Sequence, residues 1–224
     1  MRNGKTLMGR YQLVVFDIDG TLIDTEKTGV LSLMRTVEQL MGREMPYEEA
    51  YGYFGIPSAA VAGHLGYSGK EDFAQRWEEN FIALSHYITA FPGVDGLLAK
   101  VKDSGVLTGI VTSRSRFEFE YDKILARMVH LIDFPVCAED TVRHKPYPDP
   151  LLECIGRASL ATGGHIAASS CIFLGDTPHD WACAHEAGCD FALADWHGRG
   201  FQGIETDKKF SSAGQALEIL ELSD

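Results

Sequence analysis

The chain has no run approaching the roughly 18 consecutive apolar residues that a membrane-spanning helix needs, so no membrane is expected among its partners. Positive charge is scarce: 20 Lys and Arg stand against 32 Asp and Glu, a formal net charge of -12. That balance excludes a broad basic face of the kind that holds nucleic acid. It does not exclude a small anionic substrate, because a metal ion and a few local cations can reverse the field inside one cleft. The five cysteines (Cys137, Cys154, Cys171, Cys183, Cys189) include no CxxC pair, and their odd number does not suggest a disulfide framework. The eight histidines show no zinc spacing. The opening stretch MRNGKTLMGRYQ carries basic residues but neither an apolar core nor a cleavage-like site. Reduced thiols and a cytoplasmic location are the expectation. No internal repeat or low-complexity tract is visible.

What is present reads as an ordinary globular chain, 45% hydrophobic and 23% charged over 224 residues, long enough for one large domain or one domain carrying an insert. Apolar, β-branched runs recur at Gln12–Phe16, Val106–Val111, Cys171–Leu174 and Asp190–Leu193, with a weaker one at Phe134–Cys137. Their hydrophobicity is continuous rather than alternating, which points to strands covered on both faces, as in parallel sheets. Helical patterns lie between them. GVDGLLAKVKDSG puts Val94, Leu97, Leu98 and Val101 on one face and offers Gly105 as the stop. TPHDWACAHEAG offers Thr177 as N-cap, Pro178 at the first helical position and Gly188 at the end. Alternating strands and helices predict an α/β fold, a doubly wound, Rossmann-like parallel sheet.

One interval breaks the alternation. The first strand ends near Asp17, yet the next strand pattern begins only near Val106, far too long for an ordinary connection. It holds helical periodicity at Val30, Leu31, Met34, Val37, Leu40 and Met41, and a second helix is expected from Lys70 to about Thr89. Residues 25–90 are therefore expected to form an inserted α-helical cap, with 1–24 and 91–224 as the core.

Four stretches would converge at the carboxyl ends of the core strands, where open α/β sheets bind ligands. They are Asp17-Ile18-Asp19-Gly20-Thr21, the strand GIVT ending on Thr112-Ser113, the loop RHKPYPDP with Lys145, and FLGDTPHD with Asp176 and Asp180. Phosphoryl transfer to a carboxylate calls for this set. Aspartate is a competent nucleophile for phosphoryl groups, and a phosphate approaching carboxylates needs a hard cation with oxygen ligands; Mg²⁺ fits Asp17 and Asp176. Lys145 would balance the remaining charge. The Thr112 hydroxyl, Ser113 and backbone N–H groups around Gly20 would grip phosphate oxygens. Asp19 would move the proton. Asp180 has two readings: three residues after Thr177 it completes a capping box, or it serves the site. Arg114 and Arg116 are within reach of the phosphate, although one or both are expected at the surface. Trp181 and Trp196 read as packing residues.

In order, strand context and spacing, these stretches resemble the motifs of the haloacid dehalogenase superfamily, in the branch with a helical cap after the first strand, from Val14 to about Trp196. The resemblance implies a Rossmann-like core, Mg²⁺ and an aspartyl-phosphate intermediate. It also implies that the backbone carbonyl of Asp19 ligates the metal while Asp180 orients the metal shell or Lys145. Superfamily dehalogenases resemble DxY at the first motif and phosphonate hydrolases DxA. An acid at position 19 therefore favours phosphate esters, in the manner of phosphoglycolate phosphatases, with a small phosphorylated metabolite as partner. A sugar phosphomutase of the β-phosphoglucomutase type shares the core, but those enzymes tend to have Val where this chain has Thr21. Pyrophosphate hydrolysis stays open. A phospho-aspartate signalling receiver is disfavoured by Asp19, because a poised acid/base would discharge the phosphate, and by the length of the insert.

Within the insert, YGYFGIPSAAVAGHLGY is expected to face the cleft, with Gly52, Gly55 and Pro57 suiting a turn. From Glu44 to Gly69 there is no Lys or Arg, and His64 is the one possible cation. Tyr51, Tyr53 and Phe54 would suit an uncharged leaving group, or else pack the cap's own core. An anionic leaving group would want a cationic partner there.

Overall fold

The computed structural model describes residues 10–54, 56, 58–198, 200, 206 and 208–219. In chain order the elements are β1 (Leu13–Phe16), β2 (Ile23–Asp24), α1 (Glu26–Met41), α2 (Tyr47–Tyr51), α3 (Ser58–His64), α4 (Lys70–Ala83), β3 (Thr89–Ala90), α5 (Val94–Asp103), β4 (Leu107–Val111) and α6 (Arg116–Tyr121). There follow β5 (Phe134–Val136), α7 (Asp149–Thr162), β6 (Cys171–Gly175), α8 (Pro178–Ala187), β7 (Asp190–Ala194), β8 (Lys209–Phe210) and α9 (Ala213–Ile219). No helix among the described residues is long and apolar enough to cross a membrane.

The chain divides into two compact units, Met1–Ile23 with Ala90–Asp224, and Asp24–Thr89. The first is built on a six-stranded sheet in the order β5-β4-β1-β6-β7-β8, every recorded pairing parallel. Counted along this sheet alone the order is 3-2-1-4-5-6, that of dinucleotide-binding sheets, with its switch of direction at the central β1. Leu13 of β1 is in register with Leu107 of β4 on one side and Cys171 of β6 on the other. All four residues of β1 and all five of β6 are buried, as continuous apolar strands require when both faces are covered. One core layer gathers Leu13, Val15, Val111, Phe173 and Leu193 with Leu151, Cys154, Cys183 and Ala184 from α7 and α8. Fitting α7 so close needs Gly109, where a Cβ would come 2.5 Å from Cys154 Sγ.

The second unit is helical. Val30, Leu33 and Val37 of α1 pack with Met45, Ala50, Val61, Ala62 and Phe73. The expected apolar face of α1 is turned slightly: Leu33 is buried and Leu31 only partly. Ser32 and Thr36 share the buried face because each finds partners. Both donate to carbonyls one turn back, Ser32 Oγ also accepts from Trp77 Nε1 (2.8 Å), and Thr36 Oγ1 accepts from Asn80 Nδ2 (3.0 Å). Helix α4 ends at Ala83, earlier than expected. The β-branched Ile88 and Thr89 are extended, and β3 pairs with β2 in a separate two-stranded sheet.

Candidate active site

Each strand around the switch of direction delivers one polar group at its carboxyl end. Asp17 follows β1, its N–H donating to Leu174 O of β6 (2.9 Å) and so extending the ladder by one residue. Thr112 follows β4, its N–H on Val136 O (3.1 Å). Asp176 follows β6 directly. Three positions after the start of the capping box at Thr177, Asp180 turns back from the first turn of α8. The oxygens of Asp17, Asp176 and Asp180 lie within 4.8 Å of one another, and all three residues are buried.

Lys145 closes this group. Its ammonium is 2.8 Å from Asp17 Oδ1 and 2.7 Å from Asp180 Oδ1, with Val111 O at 3.5 Å, and its side chain is 7% exposed. Asp180 thus caps its helix with one oxygen and meets Lys145 with the other. Oδ1 accepts from Lys145, while Oδ2 accepts from Thr177 N–H (3.0 Å) and Thr177 Oγ1 (2.6 Å).

The charges do not balance. Three carboxylates against one ammonium leave two uncompensated negative charges when all are ionised. Burial accordingly pushes Asp17 up to about 7, with Lys145 pulling it down and Asp180 adding to the rise. Burial, helped by Asp180 and Asp17, also raises Asp176 well above the usual carboxylate range. Burial works against the Lys145 charge, but Asp17 and Asp180 outweigh it and hold the ammonium above its ordinary value. A cluster of hard oxygen donors short of two positive charges fits one divalent cation.

The loop after β1 is shaped around Asp176. Gly20 has φ +81°, and a Cβ there would lie 2.1 Å from Asp176 Oδ2. Its N–H donates to Ile23 O (2.9 Å), which corrects the expectation that it grips phosphate: that donor is committed, and the glycine is needed for space and backbone conformation. Thr21 Oγ1 is 3.3 Å from Asp176 Oδ1, and Thr21 O accepts from Trp196 Nε1 (2.8 Å), so Trp196 braces the loop as well as packing on Phe91.

Asp19 points elsewhere. Both its oxygens are held by Arg114, Oδ2 by Nε at 2.8 Å and Oδ1 by Nη2 at 2.7 Å, while Arg114 Nη1 reaches Asp122 Oδ2 at 2.7 Å. The Arg114 side chain is only 12% exposed, so the expectation of a surface residue is corrected. A two-point carboxylate pair and a third acidic partner compensate its burial. Arg116 is half-buried and paired with Asp140. Thr112 Oγ1 accepts from Arg114 N–H (3.2 Å), which leaves its hydroxyl hydrogen free to donate elsewhere; Ser113 is exposed.

In the helical unit, Tyr51, Tyr53 and Phe54 rest against that unit's own core. Tyr51 and Phe54 stack at 6.2 Å, Tyr53 leans on His64 at 6.3 Å, and Phe54 fills the space over Gly29. Gly55 and Pro57 lie outside the described residues.

A comparison with known families agrees with this arrangement. Residues 14–194 match the family described as haloacid dehalogenase-like hydrolase. The chain belongs to the haloacid dehalogenase-like hydrolases. A similar protein from Caldanaerobacter subterraneus is provisionally named pyrophosphatase PpaX, 29% identical over 94% of this chain and 95% of its own. A solved structure from Lactobacillus plantarum, provisionally called a phosphoglycolate phosphatase, aligns with TM-score 0.80 and 26% identity over 95% of this chain and 99% of that one. A second structure, provisionally a β-phosphoglucomutase from Thermotoga maritima, shares the fold at TM-score 0.75 and 20% identity, over 94% and 98% of the two chains.

Proposed function

We propose that this hydrolase is a Mg²⁺-dependent phosphatase acting on a small phosphomonoester through an aspartyl-phosphate on Asp17. The observation that carries the reading is the buried group of Asp17, Asp176 and Asp180 around Lys145, short of the charge of one divalent cation. Asp17, Asp176 and, by family likeness, the Asp19 carbonyl would hold Mg²⁺, with Asp180 beside them. Bound there, the ion supplies charge cancellation for the phosphoryl oxygens.

Every other role falls to the chain. Asp17 attacks phosphorus, forming an acyl phosphate as the bond to the leaving oxygen breaks. Lys145 offsets negative charge at the nucleophile, and the Thr112 hydroxyl donates to a phosphoryl oxygen. Asp19 gives a proton to the leaving oxygen, then takes one from the water that attacks phosphorus, freeing phosphate and Asp17. An acid at position 19 argues against dehalogenase or phosphonate chemistry, which need no proton on a leaving oxygen.

A second reading is pyrophosphate as substrate, favoured by the name of the relative that is 29% identical. The test is turnover of the purified protein on neutral monoesters, phosphoglycolate and pyrophosphate, with Mg²⁺ and with excess chelator, beside Asp17→Asn. Loss of turnover in chelator and in a natively folded Asp17→Asn supports the reading. Full activity in either overturns it.

A further inference from the structure

Arg114 is a strongly built feature beside the site that the reaction above leaves without a task. Its guanidinium spends three groups on two carboxylates: Nε and Nη2 on Asp19, Nη1 on Asp122. The pair with Asp19 joins residues 95 apart in sequence, so it is no by-product of local chain geometry. The anchor behind it is itself fixed. Asp122 Oδ1 accepts from the N–H groups of Ile124 (2.8 Å) and Leu125 (3.0 Å), leaving Oδ2 for Arg114. The Arg114 backbone is pinned as well, N–H on Thr112 Oγ1 and carbonyl accepting from Ala138 N–H (2.9 Å).

Such rigidity at an exposed end is informative. The Asp122 and Arg114 side chains are each 12% exposed, whereas that of Asp19, at the far end of the relay, is 36% exposed. A surface ion pair of ordinary worth would not be held from behind by a second buried acid. Each Asp19 oxygen uses one lone pair on Arg114 and keeps another, so the group stays oriented while one oxygen can still carry the proton that passes to the leaving-group oxygen. Lysine, a single point donor, cannot fix both oxygens. With three of its groups already on carboxylates, Arg114 is also poorly placed to anchor an anionic leaving group.

From this geometry we infer that Arg114 is a positioning residue for Asp19, acting on the proton-transfer half of the reaction. The inference rests on the reading of Asp19 as acid/base, and the experiment separates the two.

A double-mutant cycle of Arg114→Ala and Asp19→Asn would be measured on glycerol phosphate, whose leaving oxygen needs a proton, and on p-nitrophenyl phosphate, whose leaving group does not. Asp19→Asn should cut kcat on glycerol phosphate by about a hundredfold or more. Arg114→Ala should cut it by about tenfold to a hundredfold, as misplacement of a catalytic group does. KM should stay within about twofold, and the loss on p-nitrophenyl phosphate should be much smaller. Once Asp19 is Asn, removing Arg114 should change nothing further. Added guanidinium ion should restore part of the Arg114→Ala activity, and Arg114→Lys should not recover it. Asp122→Asn keeps the side-chain Oδ1 that accepts from the Ile124 and Leu125 N–H groups, so a milder loss of the same pattern guards against misfolding of Arg114→Ala.

An unchanged Asp19→Asn rate would remove the acid/base reading and the inference with it. A large Asp19→Asn effect would leave that reading standing and overturn the role of Arg114 alone if Arg114→Ala were additive with it, equal on both esters, or expressed in KM.

Discussion

The carboxylate of Asp176 occupies the space that a side chain on Gly20 would need, with Oδ2 2.1 Å from where a Cβ would sit. The same glycine has a positive φ that alanine adopts only at a cost of roughly 1–2 kcal/mol. Gly20→Ala must therefore move either the loop after β1 or Asp176. Divalent-cation affinity, measured by calorimetry, should fall by at least about tenfold, or about 1.4 kcal/mol, with a native circular dichroism spectrum. Wild-type affinity in a folded Gly20→Ala would contradict this coupling.

Lys145 is the only ammonium in contact with Asp17 and Asp180 among the described residues. Removing it strands buried carboxylates, a change that costs about 3–5 kcal/mol when one partner of a buried ion pair is lost. Lys145→Met should lower unfolding free energy by that order in urea titrations with chelator present, and Mg²⁺ should recover part of the loss. A neutral effect would mean that the acids relax away from one another.

The raised Asp17 sets the sign of the pH response. Its folded value of about 7 lies above the ordinary carboxylate value. Its contribution to stability is therefore full below about pH 3.9 and is lost as pH rises through about 7. Lys145 is also raised, but its effect falls above its ordinary value, outside that window. In chelator, this cluster should lower the melting temperature between pH 5 and pH 8. The gain on adding Mg²⁺ should be larger at pH 8 than at pH 6, because cation ligands must be deprotonated. Equal gains at both pH values would contradict a carboxylate site that resists ionisation.

The leaving-group side is decided by charge. Arg114, the cation that meets Asp19, is already engaged by Asp19 and Asp122. Neutral phosphomonoesters should exceed phosphoglycolate and bisphosphates in kcat/KM. A tenfold preference for phosphoglycolate, about 1.4 kcal/mol at the transition state, would show that a cation other than Arg114 reaches the leaving group.

The core strands were legible because burial on both faces writes an unbroken apolar run, as in LVVF and CIFLG. The polar groups at their ends were legible because each sits where its strand stops. Strand β8 is two residues long, too short for any periodicity to register. The buried face of α1 was blurred by Ser32 and Thr36, whose suitability depends on Trp77 and Asn80 some forty residues away. The burial of Arg114 is illegible in the sequence for the same kind of reason. Nothing local marks an arginine as buried; its partner is set by the parallel register that brings the end of β4 beside the end of β1. Asp180 looked like either a cap or a site residue because sequence assigns a side chain one role, whereas a carboxylate has two oxygens.

That last point carries a kinetic consequence. Since one oxygen of Asp180 closes the first turn of α8 and the other holds Lys145, the helix start and the loop bearing Lys145 cannot open separately without breaking a shared carboxylate. The Asp180 amide, which donates to Thr177 Oγ1 at 3.2 Å, then becomes a sentinel. Its hydrogen-exchange rate reports opening of the charged cluster itself, and neutralising Lys145 should speed exchange at a backbone position that Lys145 never touches.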